Sequence, residues 1–460
     1  MVDLEFLANR LLDSDRELAK TKLAEEYVLA KNMDRETASA FAEAVLEEVE
    51  RSRRKPHNSF VRDVLGLHSS CVRAGVFGVG SRGEGDFLVH SLIARIAHTA
   101  NKHSKLRVVL EPVDHDDVGG VALNGGAVVG SIDGAHSRLS GYPFLMGFHV
   151  ARAALRDVCV KGATPLFMVD DVHLADDGDI SKILEFVAGV AAVSEISGVP
   201  LVSGSTLRVG GDMVLGDRLV GAVGCVGYSY SGVKVKNSAR VGDELIMTEG
   251  SGGGTISTTA IYSGHPDIVA ETLNLDFYFA SEALREAGLF RKLHAVTDVT
   301  NGGLRGDLQT AADKSSVRIV VDQGKINSLI NPKVHRMLRE LGVDPLGLSL
   351  DSLLLFSPPK LIDTVLQELK RAGVKADTIG RVEAGRGCYI VRDGGESPLT
   401  PLFRESPYTK IKKLVGTEPP ERKKEMGELL EHAANEALRK KARVVRRVLL
   451  KYRKRELSFK

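Results

Sequence analysis

The residues best suited to chemistry are aspartates set where apolar runs stop. Asp114, Asp116 and Asp117 lie in PVDHDDVGG, Asp133 ends GAVVGSID just before Gly134, and Asp298 ends HAVTD before the turn TNGG. Asp157 sits on a helical stretch that stops at Gly162. Carboxylates at strand ends beside glycine turns can hold hard cations and phosphates, because Mg2+ takes oxygen ligands and bridges phosphate oxygens. A single aspartate at such a place is also an ordinary turn or cap residue; only the set points to a metal site. Glycine turns at 75–85, 204, 250–254 and 302–306 can turn backbone N–H groups toward an anion. GVGSRGEGD lacks the Gly-Lys-Ser/Thr ending of a P-loop. No HExxH, GxSxG or metal-type Cys/His cluster occurs. His136, in DGAHS near Asp133, reads either as a satisfied loop histidine or as a catalytic one.

The elements that must position these residues follow from periodicity. Leu4, Phe6, Leu7 and Leu11, then Leu23, Tyr27 and Val28, recur at helical spacing, and Asp34 is a plausible N-cap for the next helix. From about Cys71 to Tyr230, helices (FLVHSLIARIAHTA, roughly 143–161, ISKILEFVAGVAAVSEIS) alternate with strands (RVVLEP, VGGVAL, GAVVGSID, TPLFMVDDV, VPLVSGST). A second unit repeats the strand, glycine turn, helix plan in VGDELIMTEGSGGGT and HAVTDVTNGGLRGDL. Alternation of this kind predicts an α/β or α+β layered architecture. The expected boundaries are a helical extension at 1–65, an N-terminal domain at 66–231, a C-terminal domain at 232–396, and a Pro-rich linker with a basic helical tail at 397–460.

Composition excludes several classes. With 43% hydrophobic and 27% charged residues over 460 positions, the chain is neither collagen-like nor wholly disordered. No apolar run is long enough to span a membrane, and the acidic, amphipathic start does not read as a signal peptide. Four distant cysteines (71, 159, 225, 388) predict reduced thiols in a cytoplasmic protein. The formal charge of +2 conceals an asymmetry, since residues 401–460 hold 18 Lys+Arg against 8 Asp+Glu. The remainder is therefore acidic. LRKKARVVRRVLLKYRKRE either packs its Val/Leu stripe on that acidic body or contacts nucleic acid or an acidic partner.

Taken in order, the segments resemble a known superfamily, that of aminoimidazole ribonucleotide (AIR) synthetase, selenophosphate synthetase, thiamine monophosphate kinase and the hydrogenase-maturation carbamoyl dehydratase. DHDDVGGV is similar to its Gly-Asp-Asp-Ala-Ala-Val segment, SIDGAHSRL to its Thr-Asp-Gly segment, and ALRDVCVKGATPLFMV to its Asn-Asp-(apolar)-Met-Gly-Ala-x-Pro-Leu segment. PLVSGST resembles its Gly-Gly-x-Thr turn, and VTDVTNGGLRGDL its Asp-Val-Thr-x-Gly-Gly-Leu segment. The resemblance implies an N-terminal domain whose strands build a helix-flanked β-barrel across a homodimer, with an α/β C-terminal domain beside it. It implies ATP in the cleft and Mg2+ on Asp116, Asp117, Asp133, Asp157 and Asp298, with Asp133 and Asp157 catalytic; His136, by its place near Asp133, is the further catalytic candidate. Gly78, Gly80, Gly83, Gly134, Gly204 and Thr206 then border the nucleotide, the first three in a loop that closes over ATP. The implied chemistry is phosphoryl transfer to an oxygen or similar nucleophile of a small substrate. Crowded carboxylates repel one another, so Mg2+ is expected to stabilise the fold. The sequence departs from the family at Arg156, where the family has Asn, and at Ser203 and Ser205 of the Gly-Gly-x-Thr turn. These departures keep open a catalytically reduced, ATP-binding regulator or assembly factor.

Overall fold

The computed structural model describes residues 1–230, 232–300 and 302–458, with side chains of the final helix as far as Lys451. Three helices, Leu4–Leu11, Arg16–Lys31 and Arg35–Ser52, open the chain. Each is N-capped by an aspartate: Asp3, Asp15 and, as its position before the helix suggested, Asp34. They bury a small core of their own around Leu4, Leu23, Tyr27 and Leu46, joined by Leu215.

The N-terminal domain is a six-stranded mixed sheet in the order Val108–Leu110, Gly119–Leu123, Gly126–Gly134, Leu219–Ser229, Thr164–Leu174, Leu201–Arg208. Only the last pair is parallel, and the helix Ser181–Ser197 makes the crossover between its strands. Within one chain this sheet is open, with Leu201–Arg208 an exposed edge. The helix Pro143–Val160 packs on the sheet and on Ser181–Ser197. Gly147 and Gly189 permit that close approach, because a Cβ at either would strike the backbone of the facing helix, at Phe186 and Phe144.

The second domain is a seven-stranded mixed sheet ordered Ala295–Asp298, Leu353–Ser357, Glu244–Thr248, Ala376–Glu383, Arg318–Asp322, Gly387–Arg392, Gly395–Pro398. Its only parallel pair among the described residues is Arg318–Asp322 with Gly387–Arg392. One core spans both domains: Val150, Leu155 and Val158 of the Pro143–Val160 helix share it with Ile246, Val296 and Leu355. That helix is therefore sandwiched between the two sheets, and its polar face lies at the domain boundary.

One expectation fails beyond residue 396, and one of two alternatives for the tail falls away. The Pro-rich stretch is not a free linker. Gly395–Pro398 is a sheet strand, and Leu399, Phe403, Glu405, Ser406 and Tyr408 are buried in a strap across the molecule. The strap packs on the glycine-rich loop because Gly83 and Gly85 carry no Cβ to block the Leu402–Phe403 backbone and the Phe403 ring. The tail is a helix, Lys423–Ser458. It is tied to the body by Arg95–Glu431 (2.7 Å) and Arg443–Asp63 (2.7 Å), and Arg447 lies over Phe60. Its Val445, Val448, Leu449 and Leu450 stay exposed, so the apolar stripe is not what docks it. No helix among the described residues is long and apolar enough to cross a membrane.

Candidate functional site

On the Pro143–Val160 helix, His149, Arg152 and Arg156 recur every three or four residues and so share one face, and Asp157, the next residue, borders the cleft beside it. The rest of the helix is apolar and buried through Met146, Val150, Ala154, Leu155 and Val158. The polar face floors a cleft of about 790 Å3 between the domains, well within the size range of small-molecule sites. Asp116, Asp117, Asp133, Gly134, His136 and Asp157 line it. Asp298 lies beneath, fully buried.

The carboxylates do not form one open cluster, because fixed cations divide them. Lys161, fully buried at the end of the helix, pairs with Asp116 (2.5 Å) and Asp117 (2.7 Å). Lys236 pairs with Asp117 (2.5 Å) and faces Asp307 (3.5 Å). Arg156 pairs with Asp298, Asp157 (3.2 Å) and Asp351 (3.3 Å), and Arg152 with Asp351 (2.5 Å). Burial alone would push Asp351 up, but Arg156 and Arg152 outweigh it and hold its pKa down at about 2. Most of the charge that was expected to need Mg2+ is thus already met by the protein. Among the described residues, no three His, Cys, Asp or Glu side chains are grouped to hold a metal by themselves.

Asp133 is the exception. Asp133 lies beside the Asp157 carboxyl, and its buried Oδ2 has no hydrogen-bond partner. Burial raises both carboxyls above their ordinary range, and for Asp157 the neighbouring Asp133 adds to the rise. An orphaned carboxylate oxygen beside a second carboxyl fits a hard cation that takes its remaining ligands from water and phosphate.

His136 is held at both nitrogens. Thr258 Oγ1 donates to Gly254 O (2.7 Å), so it accepts from His136 Nδ1 (3.1 Å), and Nε2 is left to accept from the Tyr408 hydroxyl (3.1 Å). Burial, then the cations Arg82, Lys412 and Arg138, push its pKa down to about 3, so the ring is neutral. Gly78, Gly80 and Gly83 do not line the cleft; they shape the loop against the strap, and Arg82 is the loop residue that reaches in. Gly204 and Thr206, on the exposed edge strand, are not brought to the cleft within one chain.

Sequence reasoning missed Asp351, Asp307, His149 and the two lysines. Asp307 lies one turn into the helix Gly303–Ser315 and accepts from Thr300 N (2.8 Å). Burial, partly offset by Lys236, raises its pKa to about 7. His149 Nε2 donates to Ser257 Oγ (2.8 Å), which donates to Thr272 Oγ1 (2.9 Å), which donates to Val269 O (2.7 Å). That relay leaves His149 Nδ1 a buried acceptor without a partner at the cleft wall. The only available signal was helical spacing: His149 stands seven residues before Arg156.

Comparison with known proteins decides the family. Residues 115–228 match the N-terminal domain of AIR synthase related proteins, and residues 240–393 match the C-terminal domain. The uncharacterized protein MJ1416 of Methanocaldococcus jannaschii is 46% identical over 99% of this chain and 100% of its own. The chain belongs to the AIR synthase-related family. A thiamine-monophosphate kinase of Methanopyrus kandleri is 28% identical over 54% of this chain and 75% of its own. The fold of hydrogenase maturation protein HypE, solved in complex with ATP, covers 69% of this chain and 92% of its own at a TM-score of 0.52 and 21% identity. Family membership agrees with the two-domain α/β fold with mixed sheets, and residues 1–114 and 394–460 lie outside both domain matches.

Proposed function

We propose that this protein is an ATP-dependent phosphoryl-transfer enzyme that activates an oxygen or similar nucleophile of a small substrate. The observation that carries the reading is the Asp133–Asp157 pair, with its orphaned Oδ2, on the floor of a cleft between two family domains. Kinase relatives and a fold shared with an ATP complex support the nucleotide. Asp133 and Asp157 would hold Mg2+, which supplies charge neutralisation on the transferring phosphoryl group. Arg156 orients Asp157 and pairs with the buried Asp298 beneath it, offsetting in part the upward push of burial on that carboxyl. Lys161 and Lys236 fix Asp116 and Asp117, so that side of the cleft presents neutralised carboxylates and needs fewer metal ions than the five-aspartate expectation. His136 positions the strap through Tyr408, and Gly134 ends its strand at the cleft wall.

Exposed apolar side chains on the N-terminal sheet support a homodimer whose strands complete a barrel, with Ile132 76% exposed and Val202 and Leu207 on the edge strand. Gly204 and Thr206 then contribute from that interface. We place the enzyme in the cytoplasm. Arg156 favours a second reading, because a guanidinium among the aspartates suits a nucleotide-binding assembly factor with little turnover. The test is ADP release stimulated by a candidate metabolite, together with Mg-ATP affinity. Asp133→Asn and Asp157→Asn should each abolish tight Mg-ATP binding; unchanged binding in both refutes the metal assignment. Binding without ADP release under any metabolite selects the second reading.

A further inference from the structure

Beside the carboxylate floor lies a group of cations with the opposite problem. The helix Gly254–Ser263 carries Thr255, Thr258 and Tyr262 along one side, within two turns, about 10 Å along its axis. Arg82 donates to the Thr255 hydroxyl. His136 donates to Thr258 (3.1 Å), and the Arg138 guanidinium stacks on Tyr262, 4.2 Å from the ring centroid. The strap then crosses this face. Tyr408 donates to His136, and the Lys412 ammonium stands 4.9 Å from the Tyr408 ring centroid.

Three cations therefore converge around the His136–Tyr408 pair. Among the described residues, no carboxylate comes within ion-pair distance of Arg82, Arg138 or Lys412. Asp86, the acid nearest in effect on Lys412, is already engaged by the backbone N–H groups of Gly80 (3.0 Å) and Arg82 (3.2 Å). The contrast with the floor is direct: Arg152, Arg156, Lys161 and Lys236 are each paired with aspartate. Burial, and then Arg82 and Arg138, lower the Lys412 pKa, as expected of like charges held together without a counterion. A dianion among them would remove that repulsion. Two guanidinium forks and one ammonium match the several oxygens of a phosphate better than the two of a carboxylate.

We propose that Arg82, Arg138 and Lys412, framed by Tyr408, form a subsite for the phosphate group of a phosphorylated acceptor substrate. Lys412 and Tyr408 lie beyond residue 393, where the C-terminal family match ends, while Arg138 lies within the N-terminal one, so the strap completes a group of cations that the shared domain only begins. Arg82 and His136 line the cleft that Asp133 floors, so a phosphate held here keeps the rest of the acceptor within that cleft. The inference rests on the phosphoryl-transfer reading only in calling the ligand an acceptor; the binding itself needs no turnover.

The test is calorimetric titration of the full chain with inorganic phosphate, with and without Mg2+ and a non-hydrolysable ATP analogue. Wild type should bind phosphate while the analogue is bound. Lys412→Gln and Arg138→Gln should each weaken phosphate at least tenfold and leave the analogue's Kd within twofold, and Lys412→Arg should restore phosphate binding. Matching far-UV spectra check that the variants fold. Loss of analogue affinity in parallel with phosphate overturns the proposal, because the cations then serve the nucleotide's own phosphates. Phosphate that does not bind, or binds equally to both glutamine variants, overturns it as well. Phosphate binding as described, with no ADP release for any phosphorylated metabolite, would leave the subsite standing and count against the enzymatic reading alone.

Discussion

Asp307→Asn offers a quantitative test of the buried electrostatics. The folded chain holds Asp307 at a pKa of about 7, raised by burial against the pull of Lys236, with Asp298 and Asp117 facing the same space. Unfolded, it returns to an ordinary value near 3.8. A carboxyl raised on folding binds its proton more tightly in the native state. Its contribution to stability is therefore complete below the unfolded pKa and is lost as pH rises through the folded one. With these two values, linkage gives a cost of about 2 kcal/mol at pH 5 and about 4 kcal/mol at pH 8. Wild type should lose about 2–3 kcal/mol between those pH values through this residue alone. Asparagine has no proton to lose and keeps an oxygen to accept from Thr300 N. Urea unfolding of both proteins at pH 5 and pH 8 measures the double difference. The variant should have the flatter pH dependence and the higher stability at pH 8. Equal pH slopes in the two proteins would refute the assignment of a raised pKa to this buried carboxyl.

Two further outcomes follow from specific contacts. Arg156→Asn removes the cation shared by Asp298, Asp157 and Asp351, which should cost about 3–5 kcal/mol in metal-free buffer. Millimolar Mg2+ should recover part of the loss in denaturant melts, and no recovery would show that a divalent cation cannot take the guanidinium's place. Gly85→Val sets a side chain against the Phe77 carbonyl and the Phe403 ring. Limited proteolysis should then cut the strap at 399–415 faster than in wild type while the two sheets persist by circular dichroism; an unchanged cleavage rate would mean that the glycine-rich loop does not anchor the strap.

The sequence carried the two-domain layering well, because apolar helical stretches such as Pro143–Val160 alternate along the chain with strand-length runs such as Thr164–Leu174, and hydrophobic period and run length report element type. It also brought Asp116, Asp117, Asp133 and Asp157 to one cleft, since each ends or borders an element whose direction is fixed by that layering. What periodicity carries no trace of is pairing between distant positions. Lys161 and Lys236 read as ordinary surface lysines until the sheets close over them beside Asp116 and Asp117. Asp351 sits at φ 59° in a loop with no motif around it, and only the meeting of the domains sets it against Arg152 and Arg156. The stretch after Pro398 has the composition of a linker, and its burial depends on glycines more than 300 residues earlier in the chain. Element type and the aspartate set were thus determined locally, by side-chain volume, hydrophobic period and glycine turns. Which of those aspartates stays free for a ligand, and which cations stay without a partner, was decided only when the chain folded, because charge neutralisation acts through space and not along the sequence.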